Sequence, residues 1–320
     1  MNSTKLKYKI LAQIRKNVSA KNWKCATENC SGTAINSHLL QRNGILNSIA
    51  EDGHLVELRI KDAFRWQNEH SPIEFKKVGI WSALSMPIFC SQCDSSLFKS
   101  IESQALNLFD YRTFVLLCYR VVCAEQRKKQ QNVEIYERLL GAETLKGIID
   151  STKVELFLKG FKLGVDDLER LKHIVKMELE NGQNIFEFAT YTYPLIKVYG
   201  ASLFSVVDRY DPDEMAMSLF DDVYIHVIPS THELFILCGY LKEYKTNWIV
   251  EYTQSWANLT DENLKLKLSN LFAARIENWG MAPSLFNQIP VETMNKMIMF
   301  WNKHAMHIHR DLHVDFNLFE

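Results

Sequence analysis

The sequence contains no long hydrophobic run, and this absence argues against a membrane-spanning helix. Crossing a bilayer takes about 20 consecutive apolar residues, and no stretch of the 320 residues is that long. The N-terminal segment is basic, but it has neither the apolar region nor the cleavage site of a secretory signal peptide. We therefore expect a cytoplasmic protein with no membrane contact.

Turn-forming residues and excess charge are also scarce. The chain has 12 glycines and 7 prolines, which is too few for long disordered linkers. Its net charge of −1 creates no overall attraction to nucleic acid, so contact with DNA or RNA requires a local basic patch. A basic amphipathic helix predicted at residues 4–20 is one candidate, although basic runs are usually just the solvated face of a helix packed on its own domain. The cations in and just after this helix are Lys5, Lys7, Lys9, Arg15, Lys16, Lys21 and Lys24.

Phosphate-binding and hydrolase motifs are absent as well. The sequence has no glycine-rich phosphate loop, no GxSxG elbow and no dinucleotide fingerprint. These absences disfavour kinase, NTPase, serine hydrolase and Rossmann functions.

What the chain does contain is a distinctive arrangement of cysteines. The odd total of 7, without a signal peptide, favours a reducing compartment over a disulfide framework. Four of the cysteines form two closely spaced pairs, Cys25-x4-Cys30 and Cys90-x2-Cys93. The other three, Cys118, Cys123 and Cys238, show no such spacing. We interpret Cys118 and Cys123, which lie on different faces of a predicted buried helix, as core thiols.

Two close pairs of thiols indicate a zinc site. Zinc takes four ligands in a tetrahedron, and each short turn carrying two cysteines, here called a knuckle, can supply two thiolates. A site with four sulfur ligands has no position left for water, so this zinc is expected to be structural. The alternative is four unrelated free cysteines.

The residues around the two pairs carry a resemblance to a known family. The order C-x4-C, then AINSH-x2-Q, then FCSQCDSSLFKSIE resembles the N-terminal zinc module of a broad group of bacterial proteins of uncharacterised function. It is also similar to HNH-type treble-clef nucleases, over roughly residues 20–105. The resemblance implies a treble-clef fold, DNA or RNA as partner and a setting in bacterial anti-phage (antiviral) defence.

The same resemblance implies two catalytic residues. His38 matches the general base of HNH nucleases, and Asp94 lies near the position of a catalytic-metal ligand, which would be Mg²⁺. The sequence departs from the family at Ser37, where HNH enzymes usually carry an acidic residue. His38 has two other interpretations, as a hydrogen-bonded residue that stabilises the fold or as a zinc ligand in place of one cysteine.

The rest of the chain predicts an α+β protein in three segments. Residues 1–105 form the zinc module with its basic helix, 106–182 form a helical segment, and 183–320 combine an antiparallel sheet with helices. Short aromatic and β-branched runs between residues 185 and 242 predict the strands, with a turn at 229–231. A histidine cluster (His304, His307, His309 and His313) is interpreted as part of a polar surface helix rather than a metal site.

Two functional hypotheses follow from these patterns. The first is a zinc-organised protein that binds nucleic acid and acts as an HNH-like, metal-dependent endonuclease. The second is a non-catalytic module whose zinc holds a surface for binding a partner protein or for sensing. An oxygen-ligated metal near His38 favours the first hypothesis, and a His38 that is buried against backbone, with no carboxylate nearby, favours the second.

Overall fold

The computed structural model describes residues 3–61, 71–102, 106–205, 220–304 and 312–320. Within these ranges it contains nine helices and nine strands, which confirms the predicted α+β class. The helices are α1 (Ser3–Ser19), α2 (Asn47–Ile49), α3 (Ser91–Leu97), α4 (Tyr111–Leu140), α5 (Ser151–Asn181), α6 (Asn247–Gln254), α7 (Asp261–Ala274), α8 (Pro283–Phe286) and α9 (Val291–His304). The strands are β1 (Asn36–His38), β2 (His54–Ile60), β3 (Ile73–Gly79), β4 (Ser85–Pro87), β5 (Phe186–Pro194), β6 (Val198–Phe204), β7 (Val223–Pro229), β8 (Glu233–Leu241) and β9 (Trp279–Met281).

The chain divides into two compact units. Unit 1 comprises Met1–Ser37, Met86–Phe98 and Val122–Met177; unit 2 comprises His38–Ser85, Lys99–Val121 and Glu178–Glu320. The units cut across the segments 1–105, 106–182 and 183–320 expected from the sequence, because the chain passes from one unit to the other within β1, β4, α4 and α5.

Unit 1 is built from helices and the cysteine pairs. Helix α1 buries Leu11, Ile14 and Val18, which recur at helical spacing along one face. Trp23 follows α1 and is buried, with its indole N–H donating to the carbonyl of Val18 at 3.2 Å. The guanidinium of Arg127, on α4, lies 4.8 Å from the centroid of the Trp23 ring. This packing joins α1 to α4.

Unit 2 is organised around a seven-stranded antiparallel sheet in the order β3-β2-β9-β6-β7-β8-β5. Strands β5 to β8 confirm the sheet predicted after residue 185. The predicted turn between β7 and β8 is also confirmed, since Ser230 donates its backbone N–H to the carbonyl of Glu233 at 2.8 Å. In the core of this unit, helix residues pack against one another and against the sheet. For example, the ring of Phe272 on α7 stacks on the ring of Trp279 on β9, with the ring centroids 4.3 Å apart.

Several predicted boundaries differ from the observed ones. The stretch LLQRNGILNSIAEDG predicts a helix over 39–53, but the chain there forms a short π-helical turn at Arg42–Leu46 followed by the three residues of α2. The polar residues 61–75 predict a loop, but strand β3 begins inside it, and residues 62–70 lie outside the described ranges. The stretch DSSLFKS predicts a helix start with Asp94 or Ser95 near the cap, but Cys90 caps α3. The helix start that Thr260 predicts is confirmed, since Thr260 caps α7.

The C-terminal prediction is tested only in part. The sequence predicts a last helix over 290–313, and α9 covers the first half of it. His307 and His309 lie outside the described residues, so the predicted histidine surface is not tested there. Across the described ranges, no helix combines the length and apolar character that crossing a bilayer requires.

A buried histidine in the sheet predicts a specific pH dependence of stability. His226, on β7, is fully buried, and within the described part of the chain its two ring nitrogens meet no hydrogen-bond partner. Burial lowers its pKa to about 3, against ~6.5 in an unfolded chain. Its neutral form therefore contributes fully above pH ~6.5, and this contribution is lost as the pH falls towards 3. We expect the free energy of unfolding to fall by about 2 kcal/mol between pH 6.5 and pH 5 from this residue alone.

Urea denaturation at the two pH values measures this effect, with His226→Leu as the comparison. Leucine has a similar volume and does not titrate, so the variant should lose about 2 kcal/mol less than the wild type on acidification. An equal loss in both proteins would contradict the assignment.

Candidate metal centre

The structure brings the four paired cysteines together in unit 1. The sulfurs of Cys25, Cys30, Cys90 and Cys93 all lie within 4.8 Å of one another. The Cys30 sulfur is 3.7 Å from those of Cys90 and Cys93. A tetrahedral metal with ~2.3 Å bonds to sulfur separates its ligands by about 3.8 Å. This spacing is far longer than a disulfide bond and fits a single metal ion bound by all four sulfurs, as the sequence predicted.

The first knuckle is shaped by backbone hydrogen bonds. The N–H of Cys25 donates to the carbonyl of Gly32 at 2.8 Å, and the N–H of Cys30 donates to the carbonyl of Thr27 at 3.2 Å. Asn29 adopts a left-handed conformation, with φ of 60°, which asparagine tolerates better than most residues. The turn therefore places both sulfurs on the same side.

The second knuckle is the beginning of helix α3. The Cys90 sulfur caps this helix by accepting the N–H of Cys93 at 3.5 Å. Two further backbone amides donate to sulfur. The N–H of Cys90 donates to the Cys25 sulfur at 3.3 Å, and the N–H of Gly32 donates to the Cys30 sulfur at 3.4 Å. Such N–H donors stabilise thiolate charge and orient the ligands of a metal site.

Gly32 is required by the closeness of the two knuckles. A Cβ atom at this position would lie 2.9 Å from Cys90 Cβ and 3.1 Å from Cys90 Sγ. A contact of 2.9 Å essentially never occurs for a real Cβ atom, so any larger residue would push the second knuckle away from the first. The glycine after the first pair is thus part of the site.

The thiol pKa values indicate a centre that needs a cation. Burial opposes ionisation of Cys25, but hydrogen bonds from the Cys90 amide and from Thr27 lower its pKa to about 7. Thr27 also favours the thiolate of Cys93, yet burial and the neighbouring thiols together raise the Cys93 pKa to about 12. The Cys25 thiolate therefore forms more readily than the Cys93 thiolate, and a positive charge among the sulfurs favours ionisation of both.

His38 lies in unit 2, where its side chain is bound to backbone. The Nε2 atom donates to the carbonyl oxygen of Ile80 at 2.9 Å. Burial lowers the pKa of the ring below its usual value, and the bond to Ile80 only partly offsets this effect. A neutral imidazole that donates to a carbonyl corresponds to the fold-stabilising interpretation of this residue.

Asp94 lies in unit 1, in the first turn of α3, where its amide donates to the carbonyl of Cys90 at 2.9 Å. Among the residues that the structure describes, the four cysteines form the only group of three or more histidine, cysteine or acidic side chains placed to share a metal ion. The Mg²⁺ role of Asp94 and the catalytic role of His38 therefore remain predictions.

Two side chains of unit 2 were not singled out from the sequence. Trp81 is 68% exposed in the turn after β3, and the guanidinium carbon of Arg42 lies 3.5 Å from its ring centroid. Glu57 is buried on β2, and burial raises its pKa even though Arg59, the Leu84 amide and the Tyr199 hydroxyl all favour the carboxylate. The only sequence signal for Trp81 is its position between Gly79 and Ser82, in a segment with turn residues.

A four-sulfur centre can organise a fold, but it cannot activate water, because all of its coordination positions are filled by protein. Its chemistry is therefore that of a structural crosslink between residues 25–30 and 90–93.

Comparison with protein-family models, curated proteins and solved structures finds no match to this chain.

Proposed function

We propose that this chain is a nucleic-acid-binding protein organised by a structural zinc ion. The observation that carries the metal assignment is the 3.7 Å spacing of the sulfurs, close to the edge of a zinc tetrahedron. Zinc is favoured over magnesium at this centre because thiolates are soft ligands. The order of two knuckles with α3 directly after the second supports a treble-clef arrangement.

Helix α1 supports the choice of nucleic acid as the partner. Its apolar face is buried, whereas Lys9, Arg15 and Lys16 are exposed. The helix contains no acidic residue, and the first one in the sequence is Glu28. This supplies the local basic patch that a chain with a net charge of −1 needs in order to attract phosphate.

Neutralising this patch provides the test. In the double variant Lys9→Gln/Lys16→Gln, affinity for nucleic acid should fall roughly tenfold or more near 0.15 M salt. The slope of log affinity against log salt should become shallower by about two, because two phosphate contacts are lost. Fluorescence anisotropy with labelled duplex and single-stranded oligonucleotides measures both quantities.

A matched control removes two lysines from another helix of unit 1. Lys153→Gln/Lys159→Gln changes the net charge by the same amount on the exposed surface of α5. This control should bind as the wild type does. If the two double variants weaken binding equally, the effect comes from net charge and the α1 assignment fails.

The geometry supports binding better than hydrolysis. An HNH-like nuclease in anti-phage defence would need His38 to activate water and Asp94 to help hold Mg²⁺. The Nε2 atom of His38 instead donates to Ile80, and only the family resemblance supports the catalytic roles.

The alternative, a module that binds a partner protein or serves in sensing, is favoured by one feature of α5. Leu156 and Leu163 are 66% and 46% exposed and lie seven residues apart, so they occupy the same helix face. Exposed apolar residues in such a row are typical of helix-docking surfaces. Unchanged nucleic-acid binding in the α1 variant would shift the proposal to this alternative.

A further inference from the structure

The exposed indole of Trp81 is held in a rigid setting in unit 2. The residue before it, Ile80, is fixed through both backbone groups. Its N–H donates to the carbonyl of Gly53 at 3.0 Å, and its carbonyl accepts the His38 ring N–H at 2.9 Å. The structural role of His38 is thus to anchor the turn from which Trp81 projects.

The far end of the same turn is fixed at Leu84. This residue has a φ of 45°, a left-handed conformation that is unfavourable for a bulky side chain and needs support from its surroundings. The support comes from both sides, because the Leu84 N–H donates to Glu57 Oε1 at 2.5 Å and its carbonyl accepts the Leu39 N–H at 2.9 Å.

The carboxylate that holds Leu84 is itself anchored. Glu57 is 4% exposed, accepts the Tyr199 hydroxyl at 3.0 Å and pairs with Arg59 at 2.6 Å. A buried charge is stable only when its partners are in place, so this network fixes the carboxylate in one position. The turn is therefore rigidly anchored at Ile80 and at Leu84, and it displays a large apolar ring to solvent.

One face of that ring is covered by a cation. The Arg42 guanidinium lies 3.5 Å from the centroid of the Trp81 ring, and the residue as a whole is still 68% exposed. Exposure that high with one face covered points to an open second face. Arg42 begins the π-helical turn at Arg42–Leu46, a rare geometry that often occurs at functional sites.

Cations accompany this pair in the sequence. The segments that carry Arg42 and Trp81, 38–50 and 75–85, contain no aspartate or glutamate, and the acidic residues that flank them are Glu51, Asp52 and Glu74. Lys76 and Lys77 are exposed on β3, which is an edge strand of the sheet, and the next residues of the chain lead to Trp81. An open aromatic face among cations is the chemistry that holds single-stranded nucleic acid.

We propose that Trp81 and Arg42 form a binding platform for single-stranded nucleic acid, on which one unpaired nucleobase stacks against the open face of the indole. Arg42 binds the adjoining phosphate, together with one of the two lysines of β3, since consecutive strand residues point to opposite faces of the sheet. The proposal rests on the proposed function, and it names the form of nucleic acid that unit 2 holds. A protein partner fits less well, since lysines such as Lys76 and Lys77 are depleted from protein interfaces.

Titration of the full chain with a labelled oligothymidylate tests the platform. Trp81→Ala should weaken binding roughly 5- to 150-fold, the range for the loss of one stacked base. Trp81→Phe should recover most of the affinity, because phenylalanine keeps a stacking face. Intrinsic tryptophan fluorescence should be quenched on binding in the wild type, and less so in Trp81→Phe.

Phe109→Ala is the matched control, since this aromatic ring is 64% exposed elsewhere in unit 2. Equal affinity in Trp81→Ala and the wild type, with weaker binding in the α1 lysine variant, would overturn the platform and leave the proposed function standing. Failure of the wild type to bind any nucleic acid would overturn both. A protein ligand lost in Trp81→Ala, with single-strand binding unchanged, would assign the surface to a protein partner and overturn the proposal.

Discussion

Cys90→Ser should abolish stoichiometric zinc binding and unfold the knuckle region of unit 1. The Cys90 sulfur lies 3.7 Å from that of Cys30, so its loss leaves a three-sulfur site. Structural zinc supplies roughly 10–16 kcal/mol of apparent binding free energy in small zinc domains, and we expect the free energy of unfolding to drop by about 5 kcal/mol or more. Serine is a good helix cap, so α3 keeps its cap and the effect reports on the metal.

Metal analysis of the purified protein and thermal unfolding with and without a chelator measure this effect. Cys123→Ala is the matched control, because Cys123 is a buried thiol of the same unit and does not belong to the sulfur cluster. The control should retain one zinc per chain, and chelation should lower its melting temperature as it does for the wild type. Unchanged zinc content in Cys90→Ser would contradict the four-cysteine site.

The metal centre was the most predictable part of the molecule because its signal is local. Each knuckle can be recognised from a short spacing of two cysteines and from neighbouring turn residues such as Gly32. The spacing alone does not show that the two cysteine pairs come together in the fold. Structural zinc requires four ligands, which predicts that they do, and the structure confirms that the four sulfurs are adjacent. What spacing could not show was that the Cys90 sulfur caps α3, a role that is usually filled by aspartate or serine.

The sheet was predictable where its strands are long and alternating. Strands β5 to β8 carry aromatic and β-branched runs, and β2 alternates apolar and charged residues from Val56 to Ile60. Strand β9 has only three residues and directly follows a region with helical spacing, so no periodicity marks it. It is a strand because β2 and β6 pair with it on its two sides, and this long-range pairing has no local signature.

The region from residue 39 to 53 shows the opposite case, in which the sequence has a helical pattern but the structure does not form the regular helix that the pattern predicts. The Gln41 side chain is buried and donates to the carbonyl of Glu102 at 2.7 Å. A Cβ atom at Gly44 would collide with that side chain, so the close packing depends on glycine there. The chain forms a π-helical turn around Gln41 instead of a regular helix, because a tertiary contact outweighs local propensity.

The exposure of Trp81 lay beyond sequence reasoning for the same reason. A tryptophan is more often buried than exposed, and nothing in IWSALS distinguishes the two outcomes. The exposure follows from Leu84 and Glu57, which are 27 residues apart in sequence and meet only in the fold.

The second large effect is expected at Gly239, where Gly239→Ala should destabilise unit 2 by about 3 kcal/mol or more. This residue lies on β8 between β5 and β7. A Cβ atom there would lie 2.6 Å from the carbonyl oxygen of Glu187 and 2.6 Å from the Phe114 ring. Neither neighbour can yield: the carbonyl belongs to the paired strand β5, and the Phe114 ring is fully buried and stacked on Phe188 at 4.6 Å.

Gly79→Ala is the matched control, because it adds the same methyl group to another strand glycine of the same sheet. At Gly79 the nearest atom to an added Cβ is the Gly53 carbonyl oxygen at 4.0 Å, so the change should stay within about 0.5 kcal/mol. Urea denaturation followed by near-ultraviolet circular dichroism compares the two variants with the wild type. Similar stability in both variants would mean that β5 and β8 are not packed as closely as the structure shows. A selective loss in Gly239→Ala would instead establish that the Phe114–Phe188 stack closes this face of the sheet against even one extra methyl group.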